Sequence, residues 1–168
     1  MFTTTSSIHL LKSALVDRFT ADAAVGGAGA SVTFGLPSSP LRALPRDWVA
    51  VGNTHPTNAT DGAPLFGGGQ STANMAPNMK REERYTLECM VSVLRGPLED
   101  QRAVNAISFG YSAAIETSLR TWQKQGTACD GIVRWCLVGD LWHADGVNPG
   151  GDRFCNVFIT LDIANRLD

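Results

Sequence analysis

Apolar positions near the start of the chain recur at helical spacing. The stripe consists of Ile8, Leu11, Leu15 and Phe19, whose intervals of three and four residues place them on one side of a helix. Ser6 or Ser7 would cap this helix at its amino end. The glycine-rich run AVGGAGA over 24–30 follows, so we expect the helix to end there.

Three segments in the first half of the chain have the two-residue period of a β-strand. Two are short, SVTFG from Ser31 and DWVAVGN from Asp47, and Pro37 and Pro40 stop the first soon after it. The third, REERYTLECMVSVLRG from Arg81, is the longest. One of its faces carries Tyr85, Leu87, Cys89, Val91 and Val93. We expect this strand to stand in the middle of a sheet.

A long amphipathic helix is predicted after this strand. Its apolar stripe consists of Val104, Ile107, Tyr111, Ala114, Ile115, Ser118 and Trp122. Glu99 and Asp100 place negative charge on its first turn, and Gly126 ends it. We expect this helix to lie across the sheet.

Two further strands complete the chain, over 131–142 and 153–167, and the turn NPGGD joins them. Helices and strands are therefore segregated rather than alternating. This order predicts an α+β fold, with a mostly antiparallel sheet of about four to five strands covered on one face by the two helices. No linker separates two cores, so we expect residues 1–168 to form a single domain that carries a long insert at 53–80.

Charge and composition exclude several classes of partner. The formal net charge is −2, the pI is near 5.9, and the 14 Lys and Arg residues are scattered, which argues against a nucleic-acid-binding surface. No window approaches the length of a membrane span and the amino terminus lacks a secretory pattern, so we expect no membrane association. Four cysteines form no C-x-x-C pair, and we expect them to be reduced and buried: Cys89, Cys129, Cys136 and Cys155.

The sequence offers little catalytic or metal-binding chemistry. Three histidines are not held at ligand spacing by local structure: His9, His55 and His143. One set is closer to a site, because carboxylates flank a histidine: Asp140, His143, Asp145 and Asp152. We favour their being the solvated ends of a hairpin. The glycine-rich GAPLFGGGQS lacks the lysine and the spacing of a phosphate-binding loop, so we expect no cofactor, no metal and no enzymatic activity.

Mixed charge marks the start of the longest predicted strand. The residues are Arg81, Glu82, Glu83 and Arg84. Such a cluster is usually a solvated strand end, and the alternative is an ion-pair strip between subunits. Since exposed pairs contribute only about 0 to 1 kcal/mol each, such a strip would set the register of an interface more than its affinity.

The order of these elements, with three short phrases, resembles the tail terminator proteins of long-tailed bacteriophages. The phrases are D-W-V-x-V-G from Asp47, R-x-E-x-Y-T from Arg81 and V-R-W from Val133, and the resemblance runs from about residue 8 to residue 166. It implies a structural virion protein at the head-proximal end of the tail, assembled in the host cytoplasm. Six copies would form a ring on the tail tube, stop tube polymerisation and present a docking surface to the head connector.

The partners implied by this resemblance are further copies of the chain, the tail tube protein and the head–tail connector protein, with DNA only passing through the lumen. The insert at 53–80, which shows neither helical nor strand period, would then be a loop that contacts a neighbouring subunit. Its candidate contact residues are Leu65, Phe66, Met75 and Met79. The alternative for the insert is a surface loop with no partner.

Two other functions stay open on the sequence alone. A head-to-tail joining protein would bind portal-side adaptors and no tube. A small hydrolase or ligand-binding domain would need polar groups that converge in a pocket, for which only the turn from Asp140 to Asp152 is available.

Overall fold

The computed structural model describes residues 7–36, 46–52, 81–124 and 127–167, and the insert with its four candidate contact residues lies outside this part. The elements, in chain order, are α1 (Ile8–Ala21), β1 (Ser31–Phe34), β2 (Asp47–Val51), β3 (Arg81–Arg95), α2 (Gln101–Trp122), β4 (Gln123–Lys124), β5 (Thr127–Ala128), a 3-10 turn (Cys129–Gly131), β6 (Trp135–Val147) and β7 (Arg153–Leu167). The predicted α+β class is confirmed. Neither described helix is long and apolar enough to cross a membrane.

Five strands form one sheet in the order β1-β2-β3-β7-β6. The β1–β2 pair is parallel, and the other three pairs are antiparallel. Strands β3 and β7 pair along their whole length, from Arg81 opposite Leu167 to Arg95 opposite Arg153. The prediction that the longest early strand stands in the middle of the sheet is therefore confirmed.

The main core lies between one face of the sheet and the two helices. Helix α1 buries Leu11, Leu15 and Phe19 completely, as its stripe predicts. The strands contribute Val49, Val51, Tyr85, Leu87, Cys89, Val91, Val93, Cys136, Cys155, Val157, Ile159, Leu161 and Ile163. Because fully burying one Leu or Phe side chain stabilises the fold by about 1.5 to 3 kcal/mol, this layer supplies most of the hydrophobic stabilisation.

The opposite face of the sheet carries a smaller apolar cluster. Ala50, Met90 and Phe158 are buried there, and Trp48 and Trp142 pack against them. The rings of Trp142 and Phe158, which face each other across β6 and β7, are stacked with centroids 3.9 Å apart. The sheet therefore has apolar side chains on both faces, although the helices cover only one.

Both helices begin differently from the prediction. Ser7 stands at the cap position of α1, but its hydroxyl is hydrogen-bonded to the Tyr85 hydroxyl at 2.9 Å and makes no cap. Glu99 and Asp100 precede the first turn of α2 rather than occupying it. The Asp100 carboxylate accepts the backbone N–H of Arg102 at 3.0 Å, so this residue stabilises the helix as its cap.

The segment between α2 and the next long strand also differs from the prediction. The helix ends at Trp122 rather than at Gly126, and the strand predicted from residue 131 begins at Trp135. The short strands β4 and β5 and the 3-10 turn occupy the interval. Cys129 and Asp130 have positive φ angles of 53° and 56°. The periodicity of apolar residues predicts helices and strands, but it does not predict this conformation.

Candidate assembly surfaces

The predicted ion-pair strip lies at the free end of the long β3–β7 ribbon. Arg81, Glu82 and Glu83 are strand residues opposite 165–167 of β7, but their side chains lie outside the described part of the structure. Arg84 is exposed, and its neighbour across the ladder is Ala164. The strip, like the contact residues of the insert, stays a prediction.

The predicted set of acidic residues around His143 comes together only in part. His143 Nε2 lies 3.9 Å from Asp145 Oδ1, and the Asn105 side-chain amide donates to Asp145 Oδ2 at 2.7 Å. The His143 ring also contacts Phe109 edge-on, with centroids 5.2 Å apart. These contacts tie strand β6 to helix α2, which is a structural role.

Asp152 belongs to the turn between β6 and β7, where its backbone N–H donates to the Asn148 side chain at 2.9 Å. His9 is exposed on α1, and His55 lies in the insert, outside the described residues. Within the described ranges, no three His, Cys, Asp or Glu side chains are placed to hold a metal ion.

One groove lies where α1 meets the end of α2, with a volume of about 430 Å³. Arg18 crosses it from α1, and its Nε donates to the Ser118 hydroxyl of α2 at 3.1 Å. The Arg18 guanidinium also lies 5.5 Å from the centroid of the Trp122 ring. Arg18 thus packs the two helices together, and among the described residues that line the groove there is no paired nucleophile and base.

Strand β6 forms one edge of the sheet and is 13 residues long. Its register with β7 shifts between Val138 and Leu141, which marks a β-bulge. Beyond the bulge, Leu141 and Val147 are 45% and 56% exposed. A bulge interrupts pairing at a sheet edge, so the part of β6 that can serve as a template for another chain is the stretch beyond the bulge, residues 141–147.

The other edge of the sheet is β1, and it also exposes apolar side chains. Phe34 is 48% exposed although the Lys12 ammonium lies 4.0 Å from its ring centroid. Leu10, on the adjoining helix α1, is 55% exposed. Both edges of the five-stranded sheet are therefore partly apolar.

The exposed residues of the two edges lie on the same face of the sheet. Phe34 is opposite Val51, and Leu141 is opposite Ile159, and both partners belong to the core on the helix side. When a sheet continues from one molecule into the next, its faces continue with it. Phe34 of one copy and Leu141 of another would then meet on one side of the joint sheet.

No protein-family model matches this chain, and no curated protein matches it. Among solved structures, a chain of the virion of a native gene transfer agent (GTA) particle is similar, with a TM-score of 0.56 and 13% sequence identity. The similarity covers 96% of this chain and 100% of that one. The two chains share a fold. At 13% identity, the similarity is evidence for a shared fold and not for a shared function.

Sequence reasoning did not single out the two edges as surfaces. One signal was present, because Gly139 and Asp140 interrupt the alternation of β6, and an isolated glycine within a strand often marks a bulge. A Cβ at Gly139 would lie 2.7 Å from the Asp162 carboxylate of β7, so a larger residue there would displace that carboxylate. Which strands form the edges depends on pairing between segments far apart in the chain, and the local pattern of apolar residues does not predict that pairing.

Proposed function

We propose that this chain is a structural virion protein that forms a ring, of six copies, at the head-proximal end of a bacteriophage tail tube. The ring stops polymerisation of the tube and offers a docking surface to the head connector. Its partners are further copies of the chain, the tail tube protein and the connector, and DNA passes through the lumen without specific binding. In this proposal the protein acts by assembly rather than by catalysis.

The pair of partly apolar sheet edges is the observation that carries this proposal. Two different edges that fit each other make a heterologous contact, and such contacts close into a ring when the rotation between copies allows it. Here β1 with α1 offers Phe34 and Leu10, and β6 offers Leu141 and Val147 on the same face. Association through these edges would bury side chains that a single copy leaves half exposed.

Two further features support the assignment to a virion. The fold is shared with a chain of a gene transfer agent virion over nearly the whole length of both chains. The order of elements and the three phrases noted in the sequence resemble tail terminators, and the described strands and helices follow that order.

Electron microscopy of particles made when this gene alone is silenced in its phage tests the proposal. We expect filled heads without tails beside tubes of uncontrolled length, because nothing would then stop polymerisation. Tails of normal length that fail to join heads would instead assign the protein to the connector side, as a joining protein. Intact, infectious particles would contradict both roles.

A further inference from the structure

Two arginines face each other at one end of the sheet. Arg95, the last residue of β3, lies directly opposite Arg153, the first residue of β7. Directly opposed residues of an antiparallel pair lie on the same face with Cβ atoms about 4.5 to 5.5 Å apart, and like charges at this distance destabilise the pair. Each guanidinium therefore needs an anion to balance its charge.

Arg95 has such an anion, whereas Arg153 does not. The Asp47 carboxylate accepts hydrogen bonds from both terminal nitrogens of Arg95. None of the ion pairs among the described residues includes Arg153, and its Nε is buried without a hydrogen-bond acceptor. The Arg153 residue as a whole is partly exposed, so a group from outside the domain can approach its charge.

The first residue of α2 has an unsatisfied polar atom at the same end of the sheet. Gln101 Nε2 donates to the Phe154 backbone carbonyl at 3.0 Å, which brings the Gln101 side chain close to Arg153. Its Oε1 is buried and accepts no hydrogen bond. Buried polar atoms without a partner are rare in native proteins, and each one needs an explanation.

A simpler explanation is that Arg153 Nε donates to Gln101 Oε1 after a small rotation of either side chain. That hydrogen bond would satisfy both atoms. It would not balance the charge of the Arg153 guanidinium, which would still lie opposite that of Arg95. The charge therefore requires a different partner.

The surroundings of Arg153 favour a protein carboxylate over a nucleic acid. Leu98, in the loop that joins Arg95 to α2, is fully exposed, and Val147, directly opposite Arg153 on β6, is 56% exposed. Acidic residues also lie at this end of the domain: Glu99, Asp100, Asp145 and Asp152. Their charges repel a chain of phosphates, whereas one carboxylate beside an apolar side chain matches a guanidinium with apolar neighbours.

We propose that Arg153 and Leu98 form a docking surface for a protein segment that presents a carboxylate next to an apolar side chain. A guanidinium binds a carboxylate through two parallel hydrogen bonds, which also fix the orientation of the partner. The surface lies at the end of the sheet and adjoins the edge strand β6 only at Val147. It adds a contact with a different protein to the proposed function, but binding of a carboxylate can be measured on the isolated chain.

Loss of the Arg153 charge should not harm the isolated protein. Arg153→Gln keeps an N–H donor and removes a positive charge that faces Arg95. We therefore expect the midpoint of thermal unfolding to stay the same or to rise by up to about 5 °C. A fall of more than about 5 °C would show that the fold itself needs Arg153, and it would overturn the proposal.

The direct test is nuclear magnetic resonance of the full-length protein with N-acetyl-leucine as the probe. This compound carries one carboxylate and one apolar side chain, and N-acetyl-leucinamide is the control that lacks the charge. We expect millimolar N-acetyl-leucine to shift the signals of the Arg153 Nε–H and the Leu98 methyl groups, and the amide to shift neither. Equal shifts with the two compounds, or no shift with either, would overturn the proposal.

Arg102→Gln is the matched control variant, because Arg102 is an exposed arginine on the first turn of α2 at the same end of the domain. It should respond to N-acetyl-leucine as the unchanged protein does, whereas Arg153→Gln should lose the shifts at Leu98. A short DNA duplex should leave these signals unchanged. Shifts with the duplex and none with N-acetyl-leucine would assign this end to nucleic acid, contrary to the proposal.

The same two variants test the surface in the particle. Supplied to a phage whose own copy is silenced, Arg153→Gln should reduce the yield of complete particles by about tenfold, and Arg102→Gln should restore it. Full restoration by Arg153→Gln would show that the surface has no partner in the particle, and it would overturn the proposal. Intact particles from the silenced phage without any supplied copy would contradict the proposed function instead, and the resonance measurement would then decide whether Arg153 binds carboxylates.

Discussion

Asp47, the first residue of β2, holds side chains from two other elements. Its carboxylate accepts hydrogen bonds from both terminal nitrogens of Arg95, at the end of β3. The bond from Nη2 to Oδ2 is 2.8 Å long. The Tyr111 hydroxyl of α2 lies 3.2 Å from the same carboxylate. The hydrogen bond to Asp47 raises the pKa of Arg95, so the guanidinium stays charged. One carboxylate thus links two strands and a helix.

Asp47→Asn should lower the free energy of unfolding by about 1 to 3 kcal/mol, because it removes the charge that a bidentate, partly buried guanidinium faces. The side chains of Arg95 and Asp47 are only 19% and 13% exposed, so water replaces little of the lost interaction. Denaturation by urea measures the difference. The matched control is Glu116→Gln, which breaks the exposed pair with Arg120 on α2 and should cost less than about 0.5 kcal/mol. Equal costs for the two substitutions would show that the network around Asp47 contributes no more stability than an exposed ion pair.

Strand β6 has two exposed leucines on opposite faces, which makes the edge-pairing model testable within one element. Leu141 is opposite the core residue Ile159, whereas Leu137 is opposite Asp162 on the other face. Their exposed fractions are similar, at 45% and 50%. A substitution at either position should therefore disturb the isolated domain to a similar and small degree.

Leu141→Glu, supplied to a phage whose own copy is silenced, should reduce the yield of particles with tails of defined length by about tenfold or more. The reason is that an unpaired carboxylate would be buried beside Phe34 of the next copy. Leu137→Glu is the control and should restore assembly, and thermal unfolding of both purified variants should match that of the unchanged protein. Full restoration by Leu141→Glu would exclude this edge from the ring contact.

The whole molecule should tolerate loss of much of its insert. Strands β2 and β3 pair from Asp47 opposite Val93 to Val51 opposite Cys89, so β3 runs on for about 26 Å beyond that pairing, back to Arg81. With 60–76 deleted, the eleven residues that remain of the insert reach about 36 Å, which is enough to make the connection.

We therefore expect the protein that lacks 60–76 to keep a cooperative thermal transition but to assemble poorly in the same phage assay. The full-length variant with Leu65→Ser and Phe66→Ser is the matched control for chain length, and it should show the same loss of assembly. If the deletion abolishes the cooperative transition, the insert belongs to the core. If both variants assemble normally, the insert makes no essential contact.

Much of the described fold could be predicted because it depends on local periodicity. The stripe of α1 and the alternation of β3 and β7 put the same residues into the core that the structure buries. A strand with one buried face alternates apolar and polar residues, and a helix that packs on a sheet carries an apolar stripe. Both patterns can therefore be recognised without knowing which segment the element packs against. The α+β class followed from the order of these elements.

The sequence by itself thus determined which segments become helices and long strands, and which face of each is buried. Only the tertiary structure decided that β1 pairs in parallel with β2, that β1 and β6 are the edges, and that Asp47 meets Arg95 and Tyr111. The physical reason is the same for all three: each depends on hydrogen bonds or packing between segments far apart in the chain, and the local pattern of apolar residues does not record such pairing.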